Sequence, residues 1–297
     1  YRRQRQMCIR DRMNYHVISK DAIPTSNLIQ GIIIAVLVAL ILLGGVKRIA
    51  QVTEKLVPFM ALFYIVLAIG VILLNLNRIP SVFVSILEGA FRPSAVTGGI
   101  VGSMLMSVKK GVSRGIFSNE AGLGTGSIAH ACADTKKPVK QGMFGIFEVF
   151  TDTIVICTMT GLSIVIAGSW LDPKLEGVAI TMDAFQKGLP FPGFIATFSL
   201  MLCLVFFAFT TILGWDYYGE RCVEYLFNRN KAVVKGYRWL YILAVFIGPY
   251  MTVAAVWNIA DIFNALMAFP NLIALLALSG VVVKETKEFH AKHKGSY

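Results

Sequence analysis

Charged residues are scarce in this chain. Lys, Arg, Asp and Glu make up 15% of its 297 residues, whereas a soluble domain carries about a quarter. The hydrophobic share is 56% and is concentrated in long apolar blocks. This pattern excludes a soluble multidomain enzyme and a disordered chain, and it is typical of an all-α, polytopic membrane protein. An outer-membrane barrel is excluded because its strands would alternate polar and apolar residues.

Cysteine and histidine are too few and too scattered to form a disulfide framework or a metal site. The five cysteines form no CxxC pair, and the four histidines lack metal-ligand spacing. GLGTG at 122–126 lacks the βαβ pattern of a dinucleotide site, and no nucleophile elbow or phosphate loop is found. We therefore expect no enzyme, no catalytic residue and no cofactor.

Seven segments are predicted to cross the membrane, because each offers about 20 mostly apolar residues. They are residues 28–46, 52–76, 95–131, 141–168, 194–227, 237–257 and 259–283. Two further stretches, 81–90 and 178–188, are amphipathic and are predicted to be helices on the outer face. They are either lids or ordinary packing segments.

The basic residues that give the chain its net charge of +11 also predict how it is oriented in the lipid bilayer. Basic residues collect in cytoplasmic loops of membrane proteins, and no nucleic-acid motif offers another explanation. The loops on one side of the seven segments hold 15 Lys and Arg residues, and those on the other side hold 5. This asymmetry predicts a cytoplasmic C-terminus.

The first twelve residues, YRRQRQMCIRDR, have no apolar core like that of a signal peptide. They resemble a translated sequencing adapter, so residues 1–12 are expected to be an artefact. A basic, disordered tail is the alternative. Residues 13–297 are predicted to form a single transmembrane domain, the C-terminal part of a longer protein.

Segment 98–131 is glycine-rich and carries several charges. The 14 residues from 95 to 108 span only about 21 Å as a helix, less than the hydrocarbon core of about 30 Å. The charged part must therefore lie within the membrane, where charges face a cavity or a partner. An interrupted helix of this kind marks the substrate site of many secondary transporters. Close helix packing through the glycines is the alternative, but it does not explain the charges.

Two carboxylates lie inside segment 141–168. Glu148 and Asp152 are four residues apart and therefore share a helix face. One of them is expected either to join an ion or proton site or to be a packing partner of Lys109 or Lys110.

Several strings resemble the alanine or glycine:cation symporter family, the sodium:alanine symporters. They are GVSRGIFSNEAGLGTGSIAHACA at 111–133, KKPVKQGMFGIFEVFTDTIVICT at 136–158, and the stretches 44–61, 207–227 and 256–279. The resemblance covers essentially everything after residue 12. It implies symport of alanine or glycine with sodium, or another cation, across a bacterial inner membrane.

The resemblance also implies a leucine-transporter-type fold of two inverted repeats. This chain would lack the first helices of that fold, and 98–131 would be its second broken helix. As a fragment, the chain is then expected not to transport by itself. The alternative is a natively short seven-helix receptor or assembly subunit without transport activity.

The resemblance, together with the polar and glycine positions inside the membrane segments, predicts a set of site residues. For the cation these are Asp152, Thr210 and Thr211, with no metal beyond sodium. For the substrate they are Met104, Ser107, Gly111, Thr211, Ile212 and Trp215, with Gly111 expected near the helix break. For gate or hinge positions they are Arg114, Ser118, Asn119, Glu120, Gly122 and Gly124. Two alternatives remain open: the threonine hydroxyls bond back to helix carbonyls, and Trp215 belongs to an interfacial belt.

Overall fold

The computed structural model describes residues 25–91, 100–175 and 177–293. Helices account for most of these residues, which confirms the predicted all-α fold. The expectations for residues 1–12 lie outside the described residues. The described helices group into two compact units, one formed around residues 25–91 and 156–251 and the other around 101–155 and 252–293.

The first unit contains seven of the described helices. These are α1 (Thr25–Leu42), α2 (Gly45–Leu74), α3 (Ile79–Phe91), α7 (Cys157–Ala167), α8 (Val178–Gly188), α9 (Gly193–Leu226) and α10 (Lys231–Ile247). Apolar side chains at helical spacing bury two clusters. One joins α2, α8 and α9 around Tyr64, Phe185 and Leu200. The other joins α1, α2, α9 and α10 around Val38 and Leu213.

The second unit contains the remaining described helices. These are α4 (Ile100–Asn119), α5 (Thr125–His130), α6 (Pro138–Phe150) and α11 (Val253–His293). A π-helical turn, Thr151–Ile156, follows α6 and leads into α7. Pro138 occupies the first position of α6, where its missing N–H costs no helical hydrogen bond.

Four helical stretches are long and apolar enough to cross a membrane, which makes this a multi-pass membrane protein. They are Lys47–Leu74, Pro138–Ala167, Gly193–Leu226 and Val253–Lys292. They overlap the predicted segments 52–76, 141–168, 194–227 and 259–283. The helix Asn27–Leu42 is apolar but shorter, and it coincides with most of the predicted segment 28–46.

The predicted boundary between the last two segments is wrong. The structure ends α10 at Ile247, places a short 3₁₀ turn at Gly248–Tyr250, and begins α11 at Val253. Pro249 lacks a backbone N–H, and its ring opposes continuation of the preceding helix. The break therefore falls at this Gly-Pro pair and not near residue 258.

Both amphipathic stretches proposed for the outer face are helical, as predicted, in α3 and α8. In α8, Ala184, Phe185 and Gly188 are buried. Phe185 packs against Tyr64 of α2 with ring centroids 5.8 Å apart. These contacts favour the packing alternative for α8.

Candidate functional site

The helix interruption predicted from the sequence lies between α4 and α5. After Asn119 the chain turns through residues 120–124 before α5 begins at Thr125. Gly122 and Gly124 have φ of 83° and 89°, a region that glycine enters readily. Glu120 has φ 54°, which strains a residue with a side chain and is found preferentially at functional sites.

The interruption was expected near Gly111, and this expectation is wrong. The backbone is helical from Ile100 to Asn119, so its carbonyls around Gly111 belong to the helix ladder and not to a free substrate-binding stretch. Glycine permits an unwound backbone but does not impose one. The side chains of Met104 and Ser107 lie outside the described residues, so their substrate role stays a prediction.

Asn271 of α11 holds the turn at its centre. Its Nδ2 donates a hydrogen bond to the carbonyl oxygen of Gly122 over 2.9 Å. A Cβ added at Gly124 would lie 3.0 Å from Asn271 Oδ1, so the amide packs closely along the turn. Asn119 Oδ1 also accepts a hydrogen bond from the Ala121 N–H at 3.0 Å. Side chains thus stabilise backbone groups that leave the helix ladder.

The last turn of α4 bonds to the π-helical turn. Ser118 Oγ donates to Asp152 Oδ2 over 2.7 Å, and Asn119 Nδ2 donates to Thr153 Oγ1 over 2.9 Å. A π turn inside a longer helix often accompanies a functional site. The structure therefore brings together two predicted gate residues, Ser118 and Asn119, and the predicted cation ligand Asp152.

Arg114, another predicted gate residue, is fixed to α11. Its Nη1 lies 3.1 Å from Asp261 Oδ1, which also accepts a hydrogen bond from Ser113 Oγ at 3.0 Å. The guanidinium stacks 3.7 Å from the centroid of the Trp257 ring, a favourable cation–π geometry. These contacts hold α4 against α11 on the N-terminal side of the interruption.

Glu148 has a separate environment beside α5. Its Oε2 lies 3.3 Å from His130 Nε2, and His130 Nδ1 lies 2.7 Å from Gln141 Nε2. A cavity of about 390 Å³ opens beside this group. Its lining includes Ser127, His130, Thr135 and Gln141. In the structure, Glu148 is thus placed with a histidine, one helical turn before Asp152.

The predicted residues of the first unit lie along α9. Thr210 Oγ1 donates to the Phe206 carbonyl over 2.9 Å, and Thr211 Oγ1 donates to the Phe207 carbonyl over 2.8 Å. This is the back-bonding proposed as the alternative. A hydroxyl that donates its proton keeps oxygen lone pairs for a cation, so the cation role of both threonines stays a prediction. Thr210 is buried and Thr211 is exposed.

Ile212 and Trp215 continue this helix. The Ile212 carbonyl accepts a hydrogen bond from Tyr241 Oη of α10 at 2.7 Å. Trp215 is half-buried and packs edge-on against Tyr218 with centroids 6.0 Å apart. Thr211 and Trp215 are four residues apart on one continuous helix and therefore share a face, as expected.

Four residues that the sequence analysis did not select hold or surround these groups. Asn271 and Asp261 bond to the interrupted helix, and Asp216 and Glu220 are buried on α9. The available signal was the position of each polar residue inside an apolar membrane segment. Asn271, which follows Pro270, and the acids Asp216 and Glu220, one helical turn apart, all occupy such positions.

Comparisons with known proteins identify the family. The sequence model of the sodium:alanine symporter family matches residues 10–296. An uncharacterized transporter of Haemophilus influenzae is 47% identical over 93% of this chain and 60% of its own length. The sodium/alanine symporter AgcS of Methanococcus maripaludis is 44% identical over 90% of this chain and 58% of its own length.

A third relative is the probable sodium/glutamine symporter GlnT of Bacillus subtilis. It is 38% identical over 93% of this chain and 56% of its own length. The chain thus spans no more than 60% of the length of these three relatives. The matched family comprises secondary transporters and not enzymes. Because the family model matches nearly the whole sequence, this chain belongs to the sodium:alanine symporter family.

Proposed function

We propose that the protein containing this chain is a secondary symporter that couples sodium entry to uptake of a small neutral amino acid, alanine or glycine. The names of two relatives support sodium, since one is a sodium/alanine symporter and the other a probable sodium/glutamine symporter. These names differ in the amino acid, so the substrate rests on the family as a whole. The activity is proposed for the whole protein, because the chain spans no more than 60% of the length of these relatives.

The interruption at residues 120–124 is the observation that carries the proposal. A helix that ends inside a membrane leaves the carbonyl groups of its last turn without helical partners. Such carbonyl oxygens attract an ammonium group or a sodium ion. Asn271 satisfies the Gly122 carbonyl, which stabilises the turn, while carbonyl oxygens of the preceding last turn of α4 bind the ligand.

Each unit, taken by itself, contains candidate oxygen ligands for sodium. Hard cations prefer carboxylate, hydroxyl and carbonyl oxygens. Asp152 supplies a carboxylate beside Ser118, while Thr210 and Thr211 supply hydroxyls whose lone pairs point away from the donated proton. Ile212 and Trp215 then limit the size of the amino acid that enters beside Thr211. A tryptophan wall favours small side chains by volume.

Transport follows by alternating access. Sodium and the amino acid bind together near the middle of the membrane, and the helices rock between outward-facing and inward-facing states. Such motion requires a point at which the backbone of a helix can bend. The turn at 120–124 is that point, and Ser118 and Asn119 beside it act as gate residues. We further propose that the protein lies in a bacterial inner membrane with its C-terminus in the cytoplasm, as the distribution of Lys and Arg predicts.

Replacement of sodium tests the proposal directly. Uptake of labelled alanine and glycine by cells expressing the complete protein should collapse when sodium is replaced by potassium or choline. Equal uptake in all three salts would contradict the coupling. Asn271→Leu should lower uptake about tenfold, because a part-buried carbonyl without its partner costs about 1–3 kcal/mol. Ser279→Ala, an exposed position on the same helix, is the control and should transport normally.

A pair of threonine variants separates a cation ligand from a structural hydroxyl. Thr211 and Thr286 both donate 2.8 Å hydrogen bonds to the carbonyl four residues earlier, and both of these hydrogen bonds are exposed. Thr211→Ala should weaken apparent sodium affinity about tenfold, a loss of about 1.4 kcal/mol. Thr286→Ala removes the same back-bond and should leave that affinity unchanged. If the two variants changed the apparent sodium affinity equally, Thr211 would have only a structural role.

A further inference from the structure

The Asp216 carboxylate on α9 is buried and has no role in the sodium and amino-acid sites proposed above. Its side chain is 0% exposed. Within the part of the chain that the structure describes, neither carboxylate oxygen has a hydrogen-bond partner. An ionised carboxylate in such a place loses its hydration without gaining donors, which is strongly unfavourable.

Two phenol rings of α10 cover this part of α9. Tyr241 Oη donates to the carbonyl of Ile212, one turn before Asp216. The Tyr237 hydroxyl lies so close to Gly219 that no Cβ would fit there. Asp216 lies between these two contacts along α9 and interacts electrostatically with both phenols. The rings thus help to keep water from the carboxylate.

The charges beside Asp216 already balance one another. Glu220, 2% exposed, accepts hydrogen bonds from Arg238 Nε at 2.7 Å and Nη2 at 2.8 Å, and from Arg221 Nη2 at 3.1 Å. Arg221 Nη1 also lies 2.8 Å from Glu224 Oε2. Two carboxylates therefore face two guanidinium groups. Arg238 also attracts Asp216, but its Nε and Nη2 are bonded to Glu220. An ionised Asp216 would therefore be a third negative charge beside two positive ones.

The other helices packed against α9 supply no cation to Asp216 among the described residues. The sequence of α1 contains no charged residue. The charged residues of the first turns of α2 are exposed; they are Lys47, Arg48, Glu54 and Lys55. On α8, Asp183 and Lys187 pair with each other at 2.6 Å.

We propose that Asp216 is a proton-binding site, which holds a proton while α9 and α10 are packed together and releases it when that packing opens to water. A sodium ion would need several oxygen ligands, whereas no described hydroxyl forms a hydrogen bond with either Asp216 oxygen. A proton needs only the carboxylate, and the protonated acid is neutral and far less costly to bury. Use of this site during transport rests on the proposed function, whereas proton binding does not.

Infrared spectroscopy of the purified protein in lipid nanodiscs tests proton binding without transport. The carbonyl stretch of a buried, protonated carboxylic acid should be present at mildly acidic pH and lost in Asp216→Asn. The control Asp183→Asn removes an ion-paired acid and should keep the band. If Asp216→Asn does not fold, Asp216→Glu retains an acid and should shift the band. A band that neither Asp216 variant alters would overturn the proposal.

Uptake assays then test whether the proton site acts in transport. Sodium-driven uptake of the parent protein should differ between buffers below and above neutral pH, and Asp216→Asn should lose that difference. An unchanged pH profile in Asp216→Asn would overturn the use of the site in the cycle. If the parent shows no sodium-driven uptake, the proposed function fails, and the infrared result still decides whether Asp216 binds a proton.

Discussion

Glu220 shows what a single buried charge requires. The carboxylate is nearly fully buried on α9 and accepts two hydrogen bonds from Arg238 in the fork geometry that matches guanidinium to carboxylate. Removing two charges from water is costly, so such a pair adds little stability compared with apolar residues of the same size. Its loss is nevertheless severe when only one partner is removed, because the other charge is then uncompensated.

Glu220→Gln is therefore expected to destabilise the protein by about 3 kcal/mol. The neutral amide leaves Arg238 facing a partner that cannot balance its charge. Thermal unfolding in detergent micelles, followed by circular dichroism, measures the change. A shift no larger than that of an exposed ion pair would contradict the prediction.

The Asp183–Lys187 pair on α8 supplies that comparison. Its nitrogen–oxygen distance is 2.6 Å, but the Lys187 side chain is half exposed, so Lys187→Met should cost under about 1 kcal/mol. The hydrogen bond from Lys187 lowers the pKa of Asp183 below its usual value. A depressed carboxylate pKa stabilises the folded state above the unfolded value, and this contribution is lost as pH falls through the folded pKa. Lys187→Met should reduce that acid-side dependence, and the contribution from Ser169 should remain.

Residue identities in the candidate site were partly predictable from the sequence. Intramembrane polarity selected Asp152, Ser118 and Asn119, and the structure joins them by hydrogen bonds. Asn271 and Asp261 were missed because they contact the interrupted helix from more than 140 positions away along the chain. Helical periodicity assigns a residue to a face, but it gives no distance between helices.

At the scale of elements, a glycine lets α8 approach α2 closely. A Cβ added at Gly188 would lie 2.6 Å from Cγ1 of the buried Val71. At the same point, Asn75 Nδ2 donates to the Gly188 carbonyl over 3.1 Å. Valine is stiff about its first side-chain torsion, so it has little freedom to move away. The small residue thus sets the distance between the two helices.

Gly188→Ala is expected to destabilise the protein by about 1–3 kcal/mol, the usual cost of overpacking a filled core. Gly161→Ala is the matched control, since a Cβ there meets open space within the described residues and alanine is the better helix former. The midpoint temperature of thermal unfolding should therefore fall in Gly188→Ala, and in Gly161→Ala it should rise or stay clearly higher. Equal shifts would show that Gly188 does not set the packing.

Helix existence was more predictable than helix ends. Long apolar runs correctly located most of α2, α9 and α11, and amphipathic patterning located α3 and α8. The two errors concern breaks, at Gly111 and at the boundary near residue 258. Local sequence leaves several glycines available for a break, and tertiary contacts such as Asn271 to Gly122 select one of them.

At the scale of the whole molecule, the apolar surface requires a membrane. The most apolar stretch of Val253–Lys292 is 0% buried within the structure. Exposure of a continuous apolar helix to water would be highly unfavourable. Lipid or further protein must therefore surround it, which agrees with a multi-pass membrane protein.

The uneven distribution of Lys and Arg predicts which loops face the cytoplasm. Lys174 lies before α8 on the predicted outer side, and Lys231 begins α10 on the predicted inner side; both are exposed. In a background without the native cysteines, an impermeant maleimide should label Lys174→Cys on intact cells. It should label Lys231→Cys only after permeabilisation. The opposite labelling pattern would reverse the orientation.

The π-helical turn at Thr151–Ile156 changes the direction in which the side chains after it point around the helix axis. Relative to an α-helix, it adds one residue to the turn, which rotates all later side chains by about 100° around the axis. Beyond it, Thr160 meets the Tyr64 hydroxyl of α2, and Ser163 is fully buried. Loss of one residue here would leave every amino acid of α7 unchanged and yet present the wrong face to α2. The number of residues in this turn, and not only their identity, therefore determines which face of α7 packs against α2.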